Sequence, residues 1–389
     1  MTKTNKKVLL ITLAVLLLSL LGLVWLAIIL ILFIVIYKLT LHFISLIPFG
    51  FFRKMITGVF LFLLLLSSSI CIKVLAFDIY KIPSSSMENL LYPQDVIVVN
   101  KLKYGPRLPR SPFEIPWINI AFYFNENAKN RIKEDWWDYK RLSGTSTIKQ
   151  GDVFVFNSTW SKGYILIKRC MALAGDTLRI KDGNVYTNSK LFAPVATERN
   201  NYKFSIKNKQ NLYKYLDAVG LSYVMLKRID NQFYEANLSK YDLDQLKKAK
   251  LINAVSIQLD SFNENNGLFC KVPNKQWTYD TMGPFIVPKK GMQIHLNPET
   301  FSLYQRVISG SENCKIKELK GIYFINNKRA TTYTFKQNYY FMMGDNRKGT
   351  MDSRAWGFVP ETNIIGKIQC VLFSNKNDEF QWDRIFKML

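Results

Sequence analysis

Two long apolar stretches open the chain, and a shorter β-like rhythm follows them. No charged residue stands between Val8 and Tyr37, and between Met55 and Phe77 the single charge is Lys73, near the end. About 20 apolar residues in a helix cross the hydrocarbon of a bilayer, so each stretch predicts a membrane span. Lys73 falls where a long side chain reaches back to the headgroups. A cleavable secretory signal has an apolar centre of roughly 7–15 residues, shorter than either stretch. The connector Leu39 to Phe52 is itself apolar. It reads as an interfacial segment, or the first stretch folds as a hairpin and adds a third span. Two spans, over about 8–37 and 55–77, are the expectation. Lys3, Lys6 and Lys7 precede the first span while Lys38, Arg53 and Lys54 lie between the two, so the positive-inside rule is tied on that reading.

From Asp78 onward the pattern is one of short β-branched and aromatic runs closed by Gly, Pro or Asn: Asp95 to Asn100, Asp152 to Asn157 and Tyr164 to Lys168. These predict buried strands. Asp182-Gly183-Asn184 signals a hairpin, and Gly321 to Asn326 echoes it. Residues 104–148 break the rhythm with Pro106, Pro109, Pro112 and Pro116 and a charged aromatic stretch over 133–138. They predict an irregular excursion, whose Trp117, Trp136 and Trp137 either sit at headgroup level or pack on the sheet. Residues from about 194 to 274 turn rich in Lys and Asn. Ser239 and Asp242 there have the spacing of a capping box for a helix running to Lys250. After Gly283-Pro284 the strand pattern resumes at Phe285 to Pro288. The expected fold is predominantly β: a coiled antiparallel sheet domain with an α/β insertion and N-terminal transmembrane helices. Its divisions are an anchor over 1–77, a first part of the β domain over 78–192, an insertion of unassigned role over 193–275 and a second part of the β domain over 276–389.

Composition narrows the function classes. Of 389 residues 48% are apolar and 14% aromatic, which excludes wholesale disorder. A formal charge of +24 suits nucleic acid or anionic lipid equally; the apolar stretches favour lipid, and no nucleic-acid partner is expected. Cys71, Cys170, Cys270, Cys314 and Cys370 contain no CxxC pair, so neither a disulfide framework nor a zinc site is signalled. Cys270 and Cys314 are candidates to pair, but buried free thiols are the favoured reading. The histidines are His42, in the membrane connector, and His295. A histidine-based triad or histidine-rich metal site is thereby disfavoured. No P-loop or GxGxxG occurs, and no metal or organic cofactor is expected.

Three segments carry candidate chemistry. They are Ile82-Pro83-Ser84-Ser85-Ser86-Met87; Ile167-Lys168-Arg169 with Ala174-Gly175-Asp176; and Met343 to Arg347, continuing through Asp352-Ser353-Arg354 to Trp356-Gly357-Phe358-Val359-Pro360. Turn chemistry alone accounts for serines after a proline, and a lone lysine is usually a surface group. Lys168, however, ends an apolar strand. Desolvation there disfavours the ammonium and lowers its pKa, and a neutral amine beside a hydroxyl is a competent general base.

In this order, after membrane anchors, the three segments resemble bacterial type I signal peptidase. Pro83 to Met87 matches the family's serine box, Lys168 to Asp176 its lysine box, and Gly344 to Pro360 its third box almost without change. The resemblance covers about 78–192 and 276–389. It implies Ser86 as nucleophile, Lys168 as general base, and an oxyanion hole made by the Ser84 hydroxyl and the Ser86 N–H. It also implies Thr350 as the hydroxyl that orients the lysine, with Asp345, Arg347, Asp352 and Arg354 as supports of the site. Small apolar pockets for the signal peptide fall on Tyr80, Ile82, Pro83, Met87, Leu91, Ile97, Val155, Leu166 and Ile167, all of which ordinary β-core equally explains. The chain departs from the family pattern at Asn89-Leu90-Leu91 and at Gln94, where glycine is common. The implied activity is removal of signal peptides from exported preproteins by a Ser/Lys serine endopeptidase. Its implied place is the bacterial cytoplasmic membrane, with the catalytic domain on the extracytoplasmic side, resting on anionic lipid. Two rivals are a self-cleaving repressor-type regulator, disfavoured by the spans, and an inactive membrane-tethered binding or assembly factor on the same fold.

Overall fold

A computed structural model describes residues 3–132, 134–161, 163–219, 224–263, 267–376 and 379–389. Lys133, the first residue of the charged aromatic stretch, and parts of the insertion lie outside them. The uncharged run from Val8 to Tyr37 does not form one helix. Helix α1 (Lys3–Leu20) stops and α2 (Val24–Ser45) begins across Gly22, whose φ of +76° lies in the left-handed region open to glycine. The break is seated on the irregular excursion. Trp25 Nε1 donates to the Ser143 carbonyl at 2.9 Å, and Ser143 Oγ donates to the Gly22 carbonyl at 2.8 Å. Helix α3 (Gly50–Cys71) runs on through a π-helical turn, Ile72–Ala76, directly into the first strand. Among the described residues, Val24–Ser45 and Gly50–Ala76 are the helices long and apolar enough to cross a membrane, and Val8–Leu20 is a shorter apolar helix.

The main sheet is built from β1 (Phe77–Lys81), β2 (Val96–Asn100), β3 (Val153–Asn157), β4 (Ile165–Ala172), β5 (Tyr339–Met343), β6 (Val359–Pro360) and β7 (Ile364–Phe373). Its order is β1-β2-β7-β3-β4-β5-β6, with every pairing antiparallel. Register shifts interrupt the β2–β7, β7–β3 and β4–β5 ladders. Such bulges bend strands and sharpen their twist, and the sheet curls into a half-barrel. The continuous apolar runs follow from burial on both faces. Val153 and Val155 pack with Ile82, Met87, Leu91 and Ile97 on one side, while Phe154 and Phe156 pack with Cys170, Met342 and Ile364 on the other. A second core, rich in Phe269, Phe285, Phe341 and Phe358, lies where the smaller sheets meet β5.

Two ribbons of the same design flank the main sheet. Thr177–Lys181, Asn184–Thr187 and Lys190–Leu191 form one, and Ile316–Leu319, Ile322–Ile325 and Lys328–Arg329 the other. Both turn at left-handed pairs, Asp182-Gly183 and Asn188-Ser189 in the first, Lys320-Gly321 and Asn326-Asn327 in the second, as tight hairpins require. The echo at Gly321 is thus a repeated hairpin unit. The insertion carries its own sheet, ordered Ile252–Ile257, Arg199–Ile206, Phe233–Ser239, Lys227–Arg228. Helices Lys209–Ala218 and Lys240–Lys248 bury Leu212, Leu216, Leu243 and Leu246 against Phe204 and Leu238. The Ser239/Asp242 capping box is formed. All five cysteines are free, and Cys270 and Cys314 are both buried.

Candidate active site

The serine segment follows β1 in a loop that closes on its own base. Ile82 N–H donates to the Asp95 carbonyl at 2.8 Å, and Gln94 N–H returns to the Ile82 carbonyl at 2.7 Å. Asp95, fully buried, anchors that base through Arg384 Nη2 at 2.7 Å and Ser374 Oγ at 2.6 Å. Arg384 also donates to the Leu90 carbonyl at 3.0 Å. Neither C-terminal partner carries a sequence motif. Asn89 and Gln94 both stand at φ +75°. This region is sterically easy only for glycine and, among other residues, best tolerated by Asn and Asp. The departure at Gln94 therefore occupies a position where glycine is the unstrained choice.

Lys168 projects from β4, its backbone paired with Phe154 of β3. Its side chain is buried, 3% exposed, and its Nζ lies 2.8 Å from Ser86 Oγ and 2.9 Å from the Ile167 carbonyl. Burial lowers its pKa to about 8, against an opposing pull from the Asp352 and Asp345 carboxylates. Ser84 Oγ donates to Ser86 Oγ at 3.4 Å from the exposed side of the loop. An amine near neutrality in direct contact with a hydroxyl, with a second hydroxyl alongside, is the arrangement that proton abstraction from Ser86 requires.

The loop after β5 presses on this pair. Met343 pairs with Arg169 across the sheet, so the chain leaves β5 beside Lys168. A Cβ added to Gly344 would lie 2.5 Å from Thr350 Oγ1 and 2.7 Å from the Ser86 carbonyl oxygen, so only glycine fits between them. Asn346 then grips the serine loop, its N–H donating to the Ser86 carbonyl at 3.1 Å and its Nδ2 to the Ser85 carbonyl at 3.3 Å. Asp345 receives a two-pronged bond from Arg169, Nε at 2.7 Å and Nη2 at 2.6 Å. Arg354 clasps Asp352 with Nε at 2.9 Å and Nη2 at 2.8 Å, and also donates to the Arg347 carbonyl at 2.7 Å. Asp352 also accepts from the Arg354 backbone N–H at 3.1 Å and from the Gly344 N–H at 3.2 Å. Bidentate pairing with added hydrogen bonds is what makes burial of such charges tolerable.

The structure therefore brings Ser84, Ser86, Lys168, Gly344, Asp345, Asp352 and Arg354 into one connected assembly. Thr350 lies against Gly344, but its hydroxyl donates to the Met351 carbonyl at 3.4 Å, and among the described residues Lys168 is held by Ser86 and Ile167 instead. Of the expected pocket residues, Ile82, Met87, Leu91, Ile97 and Val155 share one buried cluster, with Tyr80 and Ile167 packed against it. Leu166 packs on the opposite side of the sheet with Phe154 and Phe156, and Pro83 is exposed beside the serines.

The profile of one protein family, described as signal peptidase, peptidase S26, matches residues 53–250 and 284–373. The chain belongs to this family. Among curated relatives, signal peptidase I of Buchnera aphidicola subsp. Baizongia pistaciae is 25% identical over 304 residues, spanning 78% of this chain and 72% of the relative. Signal peptidase I of Aquifex aeolicus is 24% identical over 329 residues, 83% and 85% of the two chains. That of Helicobacter pylori strain 26695 is 22% identical over 321 residues, 79% and 83%. As a member of the S26 family the chain is a signal peptidase protease, and its N-terminal apolar helices accord with a membrane protein. The family match runs through Lys250, well into the segment read from the sequence as an insertion.

Sequence reasoning missed the partners that this segment lends to the S26 site. Thr197 Oγ1 donates to Asp345 Oδ2 at 2.8 Å, and Arg347 Nη2 donates to Glu198 Oε2 at 2.7 Å. Arg199 Nη1 lies 3.1 Å from Glu88 Oε1, two residues beyond the serine. Burial raises the Glu198 carboxyl and Arg347 lowers it. The available signal was charge itself: Glu198 and Arg199 stand side by side where an alternately buried strand, Arg199–Ile206, begins, and unpaired charges are costly there.

Proposed function

We propose that this protein is a membrane-anchored serine endopeptidase that removes signal peptides from exported preproteins, with Ser86 as nucleophile and Lys168 as general base. The carrying observation is the 2.8 Å contact between Lys168 Nζ and Ser86 Oγ, made by a lysine whose pKa burial has lowered to about 8. The neutral amine takes the Ser86 proton as Oγ attacks the carbonyl of the scissile peptide. The oxyanion so formed accepts from the Ser86 N–H and the Ser84 hydroxyl. On collapse the C–N bond breaks and the Lys168 ammonium returns the proton to the leaving amine. Water, activated by the same amine, then hydrolyses the signal-peptide ester on Ser86. The apolar cluster of Ile82, Met87, Ile97, Val155 and Ile167 beside the pair suits small apolar side chains next to the scissile bond. An extended substrate adds alongside β1 and β4 by main-chain hydrogen bonds, which ask little of its sequence.

The membrane arrangement we propose is a crossing by each of α1, α2 and α3. The Gly22 break touches the same domain that α3 enters through β1, so α1 and α2 form a hairpin with its tip on the domain side. The apolar part of α1, Val8–Leu20, reaches about 20 Å, against a hydrocarbon core of about 30 Å, so its crossing needs the bilayer to thin around it. Lys6, Lys7, Lys38, Arg53 and Lys54 then gather on the far side, and the tie between orientations disappears: that side is cytoplasmic and the catalytic domain extracytoplasmic. The basic surplus and the exposed Trp117, Ile120 and Phe124 suit a domain resting on anionic lipid.

The test is incubation of the full-length protein with a secreted preprotein. Wild type releases the mature chain, while Ser86→Ala and Lys168→Ala, folded as wild type, do not. Absence of cleavage by wild type favours a tethered binding factor; turnover by either variant overturns the dyad.

A further inference from the structure

The strand Arg199–Ile206 begins against the loop that holds the nucleophile. Arg199 N–H donates to the Asp345 carbonyl at 2.8 Å, and Arg347 N–H donates to the Arg199 carbonyl at 2.9 Å, a parallel bridge centred on Asn346. Asn346 faces the other way with its own N–H, donated to the Ser86 carbonyl. One hydrogen-bonded file thus runs from the edge of the insertion's sheet, through Asn346, to the backbone of the attacking serine. Side chains clamp the file at three points: Thr197 on Asp345, Glu198 on Arg347, and Arg199 on Glu88. Arg199 is itself fixed by Asn237 of the neighbouring strand, with Nε 2.7 Å from Oδ1 and Nη2 2.9 Å from the carbonyl. Glu198, Arg199 and Arg347 are all buried, so the clamp works where solvent screens little and a missing partner is costly.

We infer that the insertion buttresses the catalytic loop, and that Glu198 and Arg199 are positioning residues that hold Ser86 at hydrogen-bond distance from Lys168. The inference rests on the Ser86/Lys168 reading above. The side-chain hydrogen bonds and ion pairs of both residues go to Arg347, Asn237 and Glu88 and not to the apolar cluster proposed to receive substrate, so loss of the clamp misplaces the nucleophile more than it alters the pocket. Displacing a reacting atom by about 1 Å costs up to roughly 100-fold in rate.

The experiment measures kcat and KM for a signal-peptide substrate with full-length protein in detergent, alongside the melting temperature. Glu198→Ala is expected to lower kcat roughly 10- to 100-fold with KM nearly unchanged, and Glu198→Gln, which still accepts from Arg347, to restore most of it. Thr197→Val, a milder loss on the same file, gives a folded variant should Glu198→Ala not fold, and is expected to lower kcat with KM kept. Wild-type kcat in folded Glu198→Ala or Thr197→Val overturns the inference, as does a change confined to KM. Ser86→Ala run in parallel separates the two readings. If it is inactive while the clamp variants are fully active, only the buttress fails; if it still cleaves, or wild type does not cleave, the underlying site assignment fails and the buttress with it.

Discussion

Lys168 Nζ and Ser86 Oγ meet at 2.8 Å although β1, which leads into the serine loop, and β4, which carries the lysine, are separated by three strands in the sheet. The curl of the sheet closes that gap, and the close-packed cluster of Ile82, Met87, Val155 and Ile167 fills it. The lysine therefore ends in a place from which water is largely excluded, and its amine is set near neutrality rather than at an ordinary lysine's value.

The first consequence is a pH profile. With the lysine pKa lowered to about 8, the reactive neutral amine gains population as pH rises through that value. At pH 6 roughly one molecule in a hundred carries it, so kcat/KM should climb about 100-fold toward a plateau above pH 9. Initial rates across pH 6 to about 10 check this; a flat profile would remove the lysine as base.

Stability should respond to the same group with a predictable sign. The folded pKa, about 8, lies below the ordinary 10.5 of an unfolded lysine. Between these values the unfolded chain holds the extra proton, so stability rises with pH across that window, and the full penalty of burying the ammonium is present below it. The penalty is roughly 3 kcal/mol. Lys168→Met, similar in length and uncharged, should melt higher than wild type at pH 7, and the difference should shrink towards pH 10.5. Melting curves at the two pH values measure it, and a variant less stable at both would contradict the account.

Much of this was legible along the chain, for local reasons. Ser84, Ser86 and Lys168 sit in boxes that the family resemblance picks out, where composition alone reads as a turn and a strand-end lysine; the Asp182-Gly183 turn dictates its own geometry, and the Ser239/Asp242 cap is a matter of spacing. What was not legible depends on pairing across distance. Glu198 and Arg199 look like surface charges until the loop after β5 folds onto them, and Asp95 finds Arg384 only when the C-terminus returns across the sheet. The helix break at Gly22 entered only as the alternative of a hairpin in the first stretch, because an apolar run offers no polar marker to place a turn. Thr350 is a case of its own: the resemblance implies a hydroxyl turned toward the lysine, and here that hydroxyl donates to the Met351 carbonyl at 3.4 Å while its side chain lies against Gly344.

Gly344 offers a sharp packing test. A methyl group there would meet the Thr350 side chain and the Ser86 carbonyl at 2.5 to 2.8 Å, and the carbonyl cannot yield without carrying Ser86, the proposed nucleophile, with it. Gly344→Ala should cost about 1–3 kcal/mol of stability and roughly 100-fold in kcat. Gly310→Ala, at the end of the helix Pro298–Gly310 where an added Cβ meets nothing within 4 Å, is the control: it should leave kcat unchanged and keep stability or raise it by up to about 1 kcal/mol. Equal activity of the two variants would mean that the loop has room to spare.

The seating of Gly22 on Ser143 makes the last prediction, about sidedness. If the hairpin tip lies with the catalytic domain, Lys6 and the connector residue Phe49 must both lie on the other face of the membrane. Replacing Cys71 by serine leaves only buried native thiols, so single cysteines can then be introduced one at a time. Lys190→Cys, in the exposed last strand of the first ribbon, should react with a membrane-impermeant maleimide in intact cells with a permeable outer barrier. Lys6→Cys and Phe49→Cys should react only after the membrane is opened or in inverted vesicles. A two-span arrangement puts Lys6 and Lys190 on the same face, so labelling of Lys6→Cys from outside would rule out the hairpin, whereas protection of all but Lys190→Cys leaves the basic residues of both segments together in the cytoplasm.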